Sequence, residues 1–392
     1  MISVAQAREL LKQHATTFGT QSVTLYKALG RYSAEDVFAP MDMPNFAQSA
    51  MDGYALRFED IQKNIPLYNE GEIQAGDTLL SEVDPEHCIQ IFTGALIPPG
   101  VDTVVMQERI EMDGKNILVK DENLKQGANV RPKGSQSKKG DLILKKGDAL
   151  NPSSCGMLAS FGIDKISVYK KPSIDILVTG NELKGAQESI KDGQIFESNS
   201  FALKTALNEL QFDDIRITKA IDLEQDTHQK IADGLKADVL LITGGISVGK
   251  YDLVHAALEK NGVEQIFHTV NQKPGKPLYF GKKGATLVFG LPGNPGSVMN
   301  CFYIYVRHAL GWAMGSTQKG DAKLRLKLLE EINKKNQKTF FVKGRIKGDS
   351  VEILDGQESY KMNAFAKADC LIEIPEDKQL LYSDELVDVH LI

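Results

Sequence analysis

VLLITGGISVGKYD, residues 239–252, is the stretch whose reading decides the fold. Val239, Leu240, Leu241 and Ile242 follow one another without polar alternation, the pattern of a strand buried on both faces. Gly244 and Gly245 then turn the chain, and helical spacing resumes over 252–260. A two-face-buried strand followed by a helix is the unit of an α/β sheet. Outward from this point the unit repeats. Strands are expected at 174–179, 215–221 and 287–290, and helices at 200–210, 225–235 and 295–309. Repeated βα units predict a parallel sheet with helices on both faces, whose ligands sit beyond the carboxyl ends of the strands. Residues 171–315 are assigned to this α/β domain.

The texture differs on either side. Ser3 and Gln6 form a capping box for a helix at 3–14, with Val4, Ala7 and Leu11 on one face, and a short helix at 25–29 stops at Gly30. From Pro40, proline, glycine and asparagine punctuate short apolar runs at 89–92, 103–106 and 117–119, as in a small inserted β domain, 39–138. The Gly-rich stretch 139–170, with turns at Gly140, Gly147 and Gly162, reads as β-like and is grouped with 1–38 as an N-terminal or linker domain. Runs at 324–328, 340–346 and 370–374 predict a C-terminal β domain, 316–392. The fold class is therefore multidomain, α/β plus β. A chain of 392 residues also exceeds what one core usually serves.

With 46 basic and 52 acidic side chains, net −6, the chain lacks the positive footprint of a nucleic-acid or membrane-surface binder. Its four cysteines are far apart without CxxC spacing, so neither a disulfide framework nor a thiolate metal site is expected. The seven histidines include no HExxH pair. No signal peptide and no apolar run of membrane length is read, which makes the cytoplasm the expected location.

Three strands of the α/β domain end in Gly- or Asn-containing turns that open helices: TGNEL (179–183), TGGISVGKYD (243–252) and GLPGNPGS (290–297). Glycine lets the backbone approach an anion, and a helix start offers unpaired N–H groups and a positive dipole end. Gly244, Gly245, Ser247, Asn294 and Ser297 belong to these turns; the plainer reading is that strand–helix turns take glycine for their own geometry. Residues 244–250 also fit G-x-x-x-x-G-K, but Tyr251 stands where a P-loop needs Ser or Thr, and no Walker-B partner is apparent. KPGKP (273–277) sets Lys273 and Lys276 in a proline-restricted frame, compact positive charges at low ordering cost. An ordinary solvated loop is the alternative. Glu182, Asp222 and Asp252 follow or end neighbouring strands, so their carboxylates could share a Mg²⁺ with phosphate oxygens, or each could cap a helix. In the β region, Asp52 before Gly53 in SAMDGYA (49–55) and Thr93-Gly94 in FTGALIPPGVDTVVMQE (92–108) read by themselves as turns.

In order, ALGRYSAEDV (28–37), SAMDGYA, FTGALIPPGVDTVV (92–105), TGNEL, DGQIFESNS (192–200), TGGISVGKYD, KPGKP and GLPGNPGS span nearly the whole chain. Together they resemble the molybdopterin molybdenumtransferase family, bacterial relatives of the gephyrin E domain. The resemblance implies four domains in an elongated homodimer, a molybdopterin-binding-type α/β domain, and a cleft between that domain and the partner's inserted β domain. It implies a reaction of adenylylated molybdopterin with molybdate, assisted by a divalent metal, with release of AMP. By position, Lys273, Lys276 and Ser297 look like molybdate ligands, and Glu182, Asp222 and Asp252 like the metal and phosphate group. Ser198 and Asn199 fall where the pterin is held, Asp52 and Thr93 where the dimer cleft is crossed. Gly244, Gly245, Ser247, Asn294 and Ser359 join the substrate pocket. The chain departs from the family pattern at Gln136 (within Gly134-Ser135-Gln136 for Gly-Glu-Asp), at Asn181 for Asp, at Lys343 for Arg and at Glu358 for Gly. Lysine keeps the charge but loses the bidentate fork. Two other readings stand beside this one. The adenylyltransferase that prepares the substrate, a possible partner, shares the α/β domain but usually nothing more, so the β domains and KPGKP argue against it. A non-catalytic scaffold would have no need of Glu182, Asp252 and both lysines.

Overall fold

The computed structural model describes residues 1–78, 81–246, 253–317 and 324–392. They form two compact units: Met1–Ala34 with Gly147–Pro152 and Lys165–Ile392, and Glu35–Lys146 with Ser153–Asp164.

The larger unit is built on a six-stranded sheet of β1 (Ile174–Thr179), β2 (Ile215–Ala220), β3 (Val239–Thr243), β4 (Glu264–Thr269), β5 (Pro277–Lys283) and β6 (Thr286–Leu291), in the order β2-β1-β3-β6-β5-β4. Every residue of β1 and β3 is buried, as their apolar runs require. Helices α1 (Asn199–Glu209), α2 (Glu224–Gly234), α3 (Leu253–Lys260) and α4 (Pro295–Cys301) supply the covering layers. Ile176, Val178 and Leu241 pack into one core with Leu203 of α1 and Val298 of α4. Leu177, Leu240 and Ile242 point the other way, into a second core with Ile231 of α2 and Leu258 of α3. β2, β1, β3 and β6 run parallel. Val178, Thr243 and Leu291 are in register, so the turns after β1, β3 and β6 open at one sheet edge.

Two expectations are corrected here. The sheet is mixed, because β5 is antiparallel to β6 and β4 antiparallel to β5. The two-residue link between Lys283 and Thr286 can close a hairpin but is far too short for a parallel crossover. The helix read as 295–309 runs further, as α4, a π-helical turn at Phe302–Val306 and an α-helix at Arg307–Ala313. The amino-terminal helix Val4–His14 carries its capping box, Ser3 Oγ accepting from Gln6 N at 3.1 Å and Gln6 Oε1 from Ser3 N at 2.9 Å. Its Val4, Ala7 and Leu11 join the first core.

The C-terminal strands Leu324–Leu328, Thr339–Lys347, Ser350–Ile353, Cys370–Ile374 and Leu386–Leu391 close into a five-stranded barrel, because Thr339–Lys347 pairs with both Ser350–Ile353 and Cys370–Ile374. Leu328, Val342, Val351, Ile372 and Val389 fill it. The two-residue strand Gln272–Lys273 attaches in parallel to Thr339 and Phe340 of this barrel.

In the smaller unit, Gly53–Leu56 lies between Thr103–Met106 and His87–Ile91, followed by Leu67–Ile73, Asn116–Val119 and Ile110–Asp113. Tyr54, Leu56, Leu67, Cys88 and Val105 form one small core, and Ala55, Ile73, Ile91 and Val104 another. The stretch read as β-like, 139–170, contains a helix, Pro152–Ser160. Gly156 at its middle and one fully buried residue, Leu158, leave no apolar stripe at helical spacing to recognise.

Candidate functional site

The carboxyl edge of the sheet borders a cavity of about 680 Å³, within the range of small-molecule sites. Thr179 at the end of β1 and Glu182 beyond it, Thr243 at the end of β3 with Gly244 and Gly245, Gly293 and Asn294 after β6, and Ser297 in the first turn of α4 line one side. Lys273 and Lys276 line it from the turn that follows Gln272. Lys338, Gln357 and Ser359 enter from the barrel.

The lysine turn is held by short-range bonds. Val270 N–H donates to the Lys276 carbonyl (3.0 Å), closing the loop, and Gln272 Nε2 donates to the Gly275 carbonyl at 2.7 Å. Gly275 has φ +82°, and a Cβ there would lie 2.7 Å from Cys301 Sγ, so only glycine fits. The Lys273–Pro274 peptide is cis. Both lysines are exposed, and Lys273 Nζ also stands 5.2 Å from the centroid of the Phe340 ring.

At the opposite wall, Asn294 caps α4 by backbone geometry, its carbonyl accepting from Ser297 N and Val298 N (3.0 Å each). Asn294 Nδ2 donates to Ser359 Oγ at 2.9 Å and Asn199 Nδ2 to the Gly293 carbonyl at 3.0 Å. Asn199 Oδ1 and Thr243 Oγ1 are buried without a hydrogen-bond partner. Native interiors rarely leave such atoms unsatisfied, and both residues line the cavity.

The Glu182 carboxylate folds over Gly180, where a Cβ would stand 2.8 Å from Oε2. Asp222 does not line the cavity. Its Oδ2 accepts from Asn181 N–H (3.0 Å), and its own N–H donates to Asn181 Oδ1 (3.1 Å), which braces the turns after β1 and β2. The brace uses a side-chain oxygen that aspartate would offer equally, so Asn181 leaves it intact. Ser198 is exposed and supplies no cap to α1. Glu197 takes that role, accepting from Ser200 N (2.8 Å) and Ser200 Oγ (2.5 Å). Ser247 and Asp252 fall outside the described residues, as do Lys250 and Tyr251 of the P-loop-like string.

Lys343 does not face the cavity either. It is buried, and Nζ donates to the carbonyls of Gly356 (2.8 Å) and Glu358 (3.2 Å), so it anchors the loop that presents Gln357 and Ser359. Desolvation holds its ammonium below the ordinary lysine value. Glu358 pairs with Lys361 at 2.9 Å, whose hydrogen bond lowers the Glu358 carboxyl. Nothing in the structure explains Gln136. In the smaller unit, Asp52 Oδ1 accepts from both Thr93 N and Thr93 Oγ1 at 2.7 Å, and the backbone bond first, then the hydroxyl, lower its pKa. The two residues are thus brought together, as one hydrogen-bonded turn.

Sequence reasoning overlooked Thr179, Thr243, Gln272, Lys338 and Gln357. The threonines end apolar strands and could have been found by the strand-end rule. Gln272 precedes KPGKP directly, whereas Lys338 and Gln357 sit in no motif.

Strand-end turns, a lysine pair and a β-barrel wall surround one cavity of a multidomain α/β protein. Residues 2–162 match the family model of the MoeA N-terminal region (domain I and II), 175–312 that of a probable molybdopterin binding domain, and 325–392 that of the MoeA C-terminal region (domain IV). The molybdopterin molybdenumtransferase of Haemophilus influenzae is 33% identical over 400 residues, covering 99% of this chain and 98% of its own. Gephyrin from Dictyostelium discoideum is 32% identical over 95% of this chain and 59% of its own length. The crystal structure of the molybdopterin biosynthesis MoeA protein from Pyrococcus horikoshii superposes with a TM-score of 0.87 at 30% identity, covering all of both chains. The chain belongs to the molybdopterin molybdenumtransferase (MoeA) family. No helix among the described residues is long and apolar enough to cross a membrane.

Proposed function

We propose that the chain inserts molybdenum from molybdate into adenylylated molybdopterin and releases AMP, in molybdenum cofactor biosynthesis. The observation that carries this reading is the convergence of Lys273 and Lys276 with three Gly/Asn strand ends on one cavity. Molybdate is a compact dianion, and the lysines attract it as fixed point charges. Ser297 and the helix start after Asn294 donate hydrogen bonds to its oxygens, and Ser359, tied to Asn294, holds the opposite wall. Asn199 and Thr243, with unsatisfied buried oxygens, suit the polar pterin, with Ser198 at its margin and Gly244 and Gly245 giving backbone access; Ser247 is assigned to the same pocket by its place in the motif. Glu182 in the cavity and Asp222 one strand away offer the oxygen donors that Mg²⁺ prefers beside phosphates, and Asp252 would complete the group. A divalent cation held by these carboxylates would supply Lewis-acid withdrawal of charge from the substrate phosphates. Asp52, kept ionised by Thr93, would meet substrate in a homodimer, reaching across to the α/β domain of the partner subunit. The division 1–38 with 139–170, 39–138, 171–315 and 316–392, a cytoplasmic location and substrate transfer from an adenylyltransferase belong to the same reading.

The test is AMP release from adenylylated molybdopterin with Mg²⁺, measured against molybdate concentration. Molybdate-promoted release is expected. Release indifferent to molybdate would point to hydrolysis or adenylyl chemistry instead and would sink the reading.

A further inference from the structure

We infer that Gln272, oriented by Tyr305, is a positioning residue for molybdate capture that presets the Lys273–Lys276 turn. The inference rests on the reading of that turn as the anion site. Gln272 is 1% exposed and precedes the first lysine. Its Nε2 donates to the Gly275 carbonyl (2.7 Å) and lies 3.6 Å from Cys301 Sγ, while its Oε1 accepts from the Tyr305 hydroxyl. Tyr305 is fully buried in the π-helical turn, and desolvation lifts its hydroxyl far above the usual tyrosine value. It therefore stays protonated and donates. That donation decides which end of the amide faces the turn: with Oε1 engaged by Tyr305, the N–H₂ end must point at Gly275. A flipped amide would set oxygen against the carbonyl and push the turn away. Asn300 Nδ2 reaches the Pro274 carbonyl at 3.4 Å, a second and longer tie from α4. The lysine side chains are exposed, while the backbone of their turn is held at its ends by Val270 N–H on the Lys276 carbonyl and by the pairing of Gln272–Lys273 with Thr339–Phe340. Between those ends the buried amide holds the middle of the turn at Gly275, and a preset turn spares the anion the cost of ordering it.

The experiment uses the full chain, with AMP release followed as a function of molybdate and of adenylylated molybdopterin. Gln272→Met keeps volume and removes both bonds; Tyr305→Phe removes only the hydroxyl; Lys276→Ala reports on the turn itself. Gln272→Met should raise KM for molybdate about tenfold, one hydrogen bond's worth, with kcat and the pterin KM within about twofold of wild type. Tyr305→Phe should move the same way by about threefold, and it decides alone should Gln272→Met not fold. If Lys276→Ala raises molybdate KM while Gln272→Met and Tyr305→Phe leave it unchanged, or shift both KM values equally, Gln272 is only core packing and the inference is overturned. If Lys276→Ala itself leaves molybdate dependence unchanged, the turn is not the anion site and the underlying reading fails.

Discussion

Replacing Gly275 with alanine tests whether the shape of the lysine turn, beyond its charge, matters. Two costs arise from the structure. Holding a side chain at φ +82° costs about 1–2 kcal/mol. The new Cβ would also stand 2.7 Å from Cys301 Sγ and 3.2 Å from Gln272 Nε2, and overpacking a buried site costs about 1–3 kcal/mol. The sum is roughly 2–5 kcal/mol. The turn can shed most of it by breaking away from Gln272, so the change should appear mainly as weaker anion binding. If about 2 kcal/mol reaches the molybdate step, KM for molybdate rises roughly 30-fold. Initial AMP release across molybdate concentrations, with a thermal melt of the same preparation, measures both parts. Adding Cys301→Ala removes the sulfur that the methyl meets, so the double variant should recover the steric share and keep the dihedral share. A Gly275→Ala protein with wild-type molybdate KM would show that the turn has no fixed shape, and the reasoning would be wrong.

Other expectations are simpler to state. Lys276→Ala should raise KM for molybdate about tenfold or more, because a fixed charge at the anion is lost, with little change in melting temperature. Lys343→Met should leave the Gly356 and Glu358 carbonyls without their buried donor and cost roughly 2–4 kcal/mol, read as a lower melting temperature. Burial by itself raises the carboxyl of Asp60, but Lys63 at 2.9 Å and the Glu86 N–H at 2.8 Å outweigh it, and its folded pKa lies below normal. Its contribution is therefore complete above the unfolded value of about 4 and is lost as pH falls through the folded value. Melts of wild type and Asp60→Asn from neutral to acidic pH should converge at the acid end; parallel curves would count against this. Cys88, Cys301 and Cys370 are buried with thiols pushed up to about 12, so at mildly alkaline pH a thiol reagent should label no more than Cys155 until denaturant is added.

The α/β sheet was legible because β1 and β3 are apolar throughout, a pattern that survives without knowledge of tertiary contacts. β4, reading EQIFHT, carries polar residues at both ends and escaped notice, and with it the antiparallel edge of the sheet. The helix Pro152–Ser160 was hidden by Gly156 for a related reason: its local pattern does not declare its period. At the site, the residues read from motifs that do line the cavity are those whose backbone geometry is local, such as Gly244, Gly275 within KPGKP, and Asn294. Lys343 shows the limit. Its charge was legible, but whether a lysine meets a ligand or two carbonyls depends on a loop 13 and 15 residues away. Gln272 is a similar case, since only the fold brings Tyr305 against it from 33 residues along the chain.

The barrel leaves half of one strand without a neighbour on the side where Ser350–Ile353 pairs with the other half, and Gln272–Lys273 occupies that vacancy. The lysine turn is therefore a tenon, cut from the α/β layer and seated in the barrel. With the Asn294–Ser359 hydrogen bond, this joint ties the barrel to the α/β layer. Loosening the barrel would unseat the turn, and an anion gripped by Lys273 and Lys276 would in return stiffen the barrel against the sheet.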